Sequence, residues 1–197
     1  MAPPRKHDTD VILDAARALV LADGPRAASV AAIAKASGAP VGTLYHRFGN
    51  RNGVLTAVWF RSLDRFQQRT LAAANHADAV EAGVAMAGAA IRFGRELPED
   101  ARLLLELRPR DLLDGGPDDE FHARLEAMNA RLFEQLRRVT RELLGADGHR
   151  EIDAVSRAVV DLPYAALRRH AHAPALPDWL DADLTAAART LLESYRR

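Results

Sequence analysis

The chain has 197 residues, 48% hydrophobic and 27% charged, with 27 Lys or Arg against 27 Asp or Glu, as expected of one substantial core or a small domain joined to a larger one. With 0 cysteines, disulfides, thiol catalysis and cysteine-ligated metals are excluded. No apolar run reaches the roughly 18 to 20 residues of a membrane span, and MAPPRKHDTD lacks the apolar core of a secretory signal, so a cytoplasmic protein without a membrane partner is expected.

Nothing reads as a strand, and the pattern predicts an all-α fold of about nine helices. The first helix spans about residues 10–23, with Ile12, Ala15, Ala16, Leu19 and Val20 inward and Asp23-Gly24-Pro25 as its stop. Ser29 is a good N-cap for the second helix, VAAIAKAS, which ends at Gly38. Pro40 suits the first position of the third, where no donor is needed. Asn50 caps a fourth, whose Val54, Leu55, Val58, Trp59, Ser62, Leu63 and Phe66 repeat at helical spacing. Asp78 and Glu81 have capping-box spacing for a fifth helix, Pro98 opens a short sixth, and PRDLLDGGPDDE reads as a turn-rich connection. The seventh carries Phe121, Leu125, Met128, Leu132, Leu136, Val139 and Leu143 on one face and stops at Gly145. An eighth, about residues 150–169, holds Pro163 and is expected to kink there. HAPALPD leads into a ninth with Leu184, Ala187, Ala188, Leu191 and Leu192 inward.

Charge and helix pattern together divide the chain. Residues 1–70 carry 10 Lys or Arg against 5 Asp or Glu, and residues 71–197 carry 17 against 22, which points to an N-terminal part facing a polyanion. Within it, GAPVGTLYHRFGNR places Val41, Leu44, Tyr45 and Phe48 at i, i+3, i+4 and i+7 on one face of the third helix. Gly42, Thr43, His46 and Arg47 fall opposite, a face without Glu or Lys that something is built to approach. Two short helices joined by Gly38-Ala39-Pro40 describe a helix-turn-helix, with Ile33 and Leu44 inward and Ala34 small at the crossing.

Entry into a DNA major groove explains the residue types. Gly42 permits close approach, and Thr43 offers a hydroxyl and a methyl. His46 and Arg47 reach a guanine edge or phosphate one turn later, and Tyr45 can pack its ring while donating its hydroxyl. Ser29 and Arg51, at two helix N-termini, are placed for phosphate oxygens. Pro40 and Val41 complete the expected contact set. Double-stranded DNA is the expected partner.

The stretch DVILDAARALVLADGPRAASVAAIAKASGAPVGTLYHRFGNRNGVL resembles the N-terminal domain of the TetR family of bacterial transcriptional regulators. Ile33, Ala34, Gly38, Gly42, Thr43, Leu44, Tyr45 and Phe48 carry that resemblance. Three positions depart from the family's habit: Pro40 stands where Ser or Thr is common, Arg51 where Lys is usual, and Asn52 where an acid often follows. The resemblance implies a helix-turn-helix domain at residues 1–52 and a larger helical domain at 53–197 that dimerises and binds a small molecule, the fourth helix bridging both.

Paired reading heads meet successive grooves about 34–36 Å apart, so a homodimer is expected. Ile152, Val155, Val159, Leu184, Ala187, Ala188 and Leu191 are the expected dimer surface. Trp59, Phe66, Met86, Phe93, Leu104, Leu107, Met128, Phe133, Tyr164 and Leu167 are the expected pocket wall, with Asn129 as a polar orienting group. His170 and His172 have no further ligands beside them, so no metal is expected, and no cofactor or catalytic motif is found. The reading is a repressor released from a palindromic operator by a small hydrophobic effector. A constitutive DNA-binding regulator is the alternative, and a helical enzyme or protein-interaction module stands behind both.

Overall fold

In the computed structural model, which describes residues 8–196, helix α1 (Thr9–Asp23) starts where Asp8 accepts a hydrogen bond from the Asp10 N–H at 3.0 Å. It buries Ile12, Leu13, Ala16 and Val20 and ends at Gly24. The expected signal-free segment lies largely in residues 1–7, outside the described residues. Helix α2 (Val30–Ser37) is capped by the Ser29 hydroxyl, which accepts from the Ala32 N–H at 3.1 Å. Gly38, in the left-handed region at φ 70°, turns the chain into α3 (Val41–Phe48). Pro40 is the N-cap of α3 and not its first helical residue; having no capping side chain, it leaves that end open.

Helix α4 (Arg51–Ala73) begins at Asn50, whose side-chain oxygen accepts from the Gly53 N–H at 2.9 Å. The α3–α4 turn is so tight that a Cβ on Gly53 would stand 1.8 Å from the Phe48 carbonyl oxygen. The angle between α3 and the long helix behind it therefore depends on the missing side chain.

Helix α5 (Ala79–Glu96) is the central element, with Ala82, Ala87, Ala89 and Ala90 buried where α4 and later helices close on it. Asp78 caps it through the Val80 and Glu81 N–H groups at 2.8 and 3.1 Å. The reciprocal half of the expected capping box is absent, because the Glu81 carboxylate is held by Arg189 at 2.8 Å. Helix α6 (Pro98–Glu106) follows, and the connection predicted as turns contains a single helical turn at Pro109–Leu112. Helix α7 (Asp119–Leu144) is capped by Asp118 and ends at Gly145.

The kink expected at Pro163 takes a specific form. Helix α8 runs through His149–Ser156, a wide π turn at Arg157–Asp161, and Leu162–Arg169. The Leu162 N–H reaches back five residues to the Arg157 carbonyl, so the helix widens just before the proline ring that would otherwise collide with the preceding turn. Helix α9 (Leu180–Tyr195) packs on α5.

The hydrophobic cluster of the N-terminal helices includes Val54, Leu55, Val58, Trp59 and Phe60 of α4 and, beyond it, Leu103, Leu112 and Phe121. A division after residue 52 thus passes through one continuous core. Two further clusters lie among α5, α7, α8 and α9.

Gly53→Ala is expected to lower unfolding stability by roughly 1–3 kcal/mol. Gly42→Ala, where an added Cβ meets nothing, should be neutral or stabilising by up to about 1 kcal/mol. Urea unfolding of the two variants beside the parent protein checks both.

Candidate functional site

Leu44, 1% exposed, is the anchor of α3, and Phe48 is half-buried beside it. Val41 and Tyr45, expected on the inward face, are instead 42% and 53% exposed. The buried direction runs between Leu44 and Phe48, and both residues lie to one side of it, toward Gly42 and His46. The outward face is therefore Pro40, Val41, Gly42, Tyr45 and His46, all exposed, with Thr43 half-buried at its edge. Ser29 is also exposed at the start of α2, its hydroxyl hydrogen still available for an external acceptor.

Two of the expected DNA contacts have partners within the chain. Arg47 is half-buried on the other rim of α3 and donates to the Thr9 hydroxyl at 3.1 Å, fastening α3 to the start of α1. Arg51 donates from Nε to the Ala28 carbonyl at 3.2 Å, from one terminal nitrogen to the Pro25 carbonyl, and from the other to Asp114 at 2.8 Å. Its guanidinium fork braces the turn before α2, because three acceptors converge on it from two segments. Asn52 completes the brace, exchanging side-chain to backbone bonds with Asp114 at 2.8 and 3.0 Å.

Much of the N-terminal positive charge is likewise engaged internally. Arg17, Arg51, Arg61, Arg65 and Arg69 all pair with carboxylates. Arg26 and Lys35 are exposed and meet no carboxylate among the described residues. Sequence reading passed over these two, since charge alone does not separate a braced arginine from a free one.

Behind the head lies a buried ionic cluster that no spacing announced. Asp100 of α6 is 1% exposed. It accepts from the Ser62 hydroxyl at 2.5 Å and from Arg65 at 3.1 Å, and its Oδ2 stands 2.9 Å from an Arg17 guanidinium nitrogen. Arg17 also meets Glu99 at 2.6 Å, and Arg61 bridges Asp10 and Asp14 at 2.7 and 2.6 Å. Burial pushes the Asp100 carboxyl up, but the Ser62 hydroxyl and the Arg17 and Arg65 guanidiniums outweigh it and hold its pKa below the ordinary carboxylate value. Helices α1, α4 and α6 are thereby tied at one point.

On the far side of α6 opens a cavity of about 570 Å³. Trp59, Phe66, Met86, Phe93, Leu104, Asn129, Phe133, Tyr164 and Leu167 line it as expected. Leu107 and Met128 do not: both pack against the cluster of the N-terminal helices. Leu63, Thr70, Ala90, Ala101, Leu105, Leu132, Leu136, Ser156, Val159, Val160, Asp161 and Pro163 complete the wall without having been expected in it. The π turn explains part of this, because it lets the consecutive residues Val159, Val160 and Asp161 all border the space.

The expected dimer surface is mostly internal. Val155, Val159, Leu184 and Ala188 are buried in the chain's own core, and Val159 also borders the cavity. Ile152 and Leu191 are half-buried against that core, and Ala187 is exposed. The apolar stripes of α8 and α9 pack on α5 and α7, while Val160 and Tyr164 of α8 remain exposed.

Comparison with known proteins places this arrangement. The model for bacterial regulatory proteins of the tetR family matches residues 12–58. The HTH-type transcriptional repressor ComR of Escherichia coli (strain K12) is 41% identical over 63 residues, 32% of this chain and 30% of ComR, so the likeness spans under a third of that relative. PfmR of Thermus thermophilus, a TetR family transcriptional regulator, superposes with a TM-score of 0.71 at 23% identity, over 94% of this chain and 99% of that one. The regulator FadR of Bacillus subtilis, solved with stearoyl-CoA, gives 0.66 at 17% identity, over 95% and 97%. At such identities the structural likeness establishes the fold.

Asp100→Asn is expected to destabilise the protein by about 3 kcal/mol at neutral pH, since it strips charge from a buried pair while Arg17 stays in place. The folded-state pKa of Asp100 lies below its ordinary value of 3.8, so the parent's advantage is complete above that value and lost as pH falls through the folded pKa. Denaturant titrations at a series of pH values should show the two proteins converging only in acid.

Proposed function

We propose the following function on the premise that this chain, through residues 12–58, is a member of the TetR family of bacterial regulatory proteins: it is a homodimeric repressor that leaves a palindromic operator when a small hydrophobic effector occupies the cavity. One observation carries the reading. Helix α6 lines the cavity with Ala101, Leu104 and Leu105 and, from its other face, grips α1 of the reading head through Asp100 and Arg17. An occupant that displaces α6 therefore acts on the head through a rigid ionic contact. A coupling of about 1–3 kcal/mol is typical of such a link.

The head, residues 1–52 braced by α4, meets DNA with Pro40, Val41, Gly42, Thr43, Tyr45 and His46 in the major groove. Ser29, Arg26 and Lys35 serve as phosphate contacts. The regulatory part, residues 53–197, pairs two chains through the outer faces of α8 and α9, where Ala187 is exposed. Two heads then read the two halves of a palindrome. Repression agrees with the description of ComR. A hydrophobic effector agrees with the apolar wall and with the stearoyl-CoA held by the Bacillus subtilis regulator.

Fragments of genomic DNA recovered on the purified protein supply the operator, and fluorescence anisotropy on that duplex tests the assignment. His46→Ala is expected to weaken operator binding by about 1–3 kcal/mol with little effect on unrelated duplex. Lys35→Ala is expected to weaken both and to reduce the slope of log affinity against log salt by about 1.8, one phosphate for each chain of the dimer. Absence of binding to any fragment, or two unchanged variants, defeats the reading of α3 as the recognition helix.

A further inference from the structure

Three apolar residues of the cavity wall also face water, and we infer that a second copy of this chain closes that side, laying its Arg168 against Asp161 of the wall. This rests on the homodimer proposed above, and adds which stripe of α8 pairs and what each chain contributes to the other's cavity.

Phe133, Val160 and Tyr164 border the cavity, yet they are 57, 48 and 45% exposed. Large apolar side chains gathered in water at the rim of a pocket mark a surface that is covered in use. Val160 and Tyr164 belong to α8, so this surface is continuous with the outer face through which two chains are proposed to pair.

Charge identifies the cover. Asp161, Tyr164, Ala165 and Arg168 stand at i, i+3, i+4 and i+7 where α8 has returned to regular geometry, and all four are exposed. Earlier on the helix, Asp153 and Arg157 pair with each other. Asp161 and Arg168 meet no opposite charge among the described residues. Arg168 gives one N–H to the Tyr164 hydroxyl at 3.0 Å and keeps its other donors. Two turns, about 10 Å, separate the two charges along their own helix.

Across a two-fold axis the same two charges become complementary. Where α8 crosses its copy antiparallel, with the axis between Tyr164 and Ala165, Asp161 faces the partner's Arg168 and Tyr164 faces the partner's Ala165. The small side chain at 165 admits an approach of about 8–10 Å between helix axes. An unrelated protein would need a matching stripe of its own, whereas a second copy brings it by symmetry. Asp161 is itself a wall residue, and no Lys, Arg or His lines the cavity among the described residues. The partner's Arg168 thus supplies the rim with a cation that the single chain lacks there. An occupant held between the two chains strengthens their pairing by linkage.

Sedimentation across a dilution series reads the pairing. Asp161→Arg sets two like-charge contacts across the axis and is expected to raise the dimer dissociation constant about tenfold or more, as is Arg168→Asp. The double variant exchanges the charges and should return to within about threefold of the parent, a rescue that general damage to α8 would not allow. Val160→Cys, in a chain with 0 cysteines, reports on the rim. Its thiol is expected to react with Ellman's reagent about tenfold more slowly in the dimer than in the Asp161→Arg background diluted to single chains. Unchanged dissociation constants in both single variants, a double variant no better than the singles, or a thiol equally reactive in both states overturns the inference. A parent that stays a single chain at every concentration overturns the homodimer proposal as well, whereas a dimer indifferent to these charges leaves that proposal standing and removes this inference alone.

Discussion

The carboxylate of Asp100 is the point on which the two halves of the molecule turn. It sits on α6, is almost completely buried, and is surrounded by Ser62 and Arg65 of α4 and Arg17 of α1. A buried charge is tolerated only where partners replace the lost water, and here those partners come from two helices other than its own. Drawing α6 away from α1 and α4 separates the carboxylate from all three partners at once. The junction is consequently rigid in one arrangement and costly to distort by degrees, which suits a part that transmits displacement.

Around that point the packing divides the labour. Alanine-rich α5 allows α4 and α9 to approach closely, and this fixes the C-terminal half. The cavity is kept open by the opposite device, large side chains such as Phe66, Phe93 and Phe133 set around space that no helix fills. The π turn of α8 belongs to the same construction: it absorbs Pro163 and turns three successive residues toward the space. Helix α6 borders both regions, with its cavity side apolar and its head side ionic.

The local features that proved readable were those governed by neighbours in sequence. Ser29, Asn50, Asp78 and Gly145 cap their helices because capping needs only residues a few positions away. Leu44 as an anchor and most of the cavity wall followed from helical period, since an apolar stripe must face something. Arg47, Arg51 and Glu81 did not follow. Each is a charged side chain at a plausible working position, and each was claimed by a partner distant in the chain: Thr9, the Ala28 carbonyl, Arg189. The same reason misplaced Val155, Val159, Leu184 and Ala188, whose stripe was visible but whose covering helix was not.

Taken alone, the order of residues determined an all-helical chain, a helix-turn-helix at its N-terminal end, and the glycines that allow its turns, because these depend on backbone preference and on interactions within a few residues. Only the tertiary structure decided which arginines remain free for an outside partner, which apolar stripes close on each other, and that a lone aspartate in PEDARLLLE joins three helices. Those outcomes depend on which distant groups arrive at the same place, and a side chain's chemistry does not state whom it will meet.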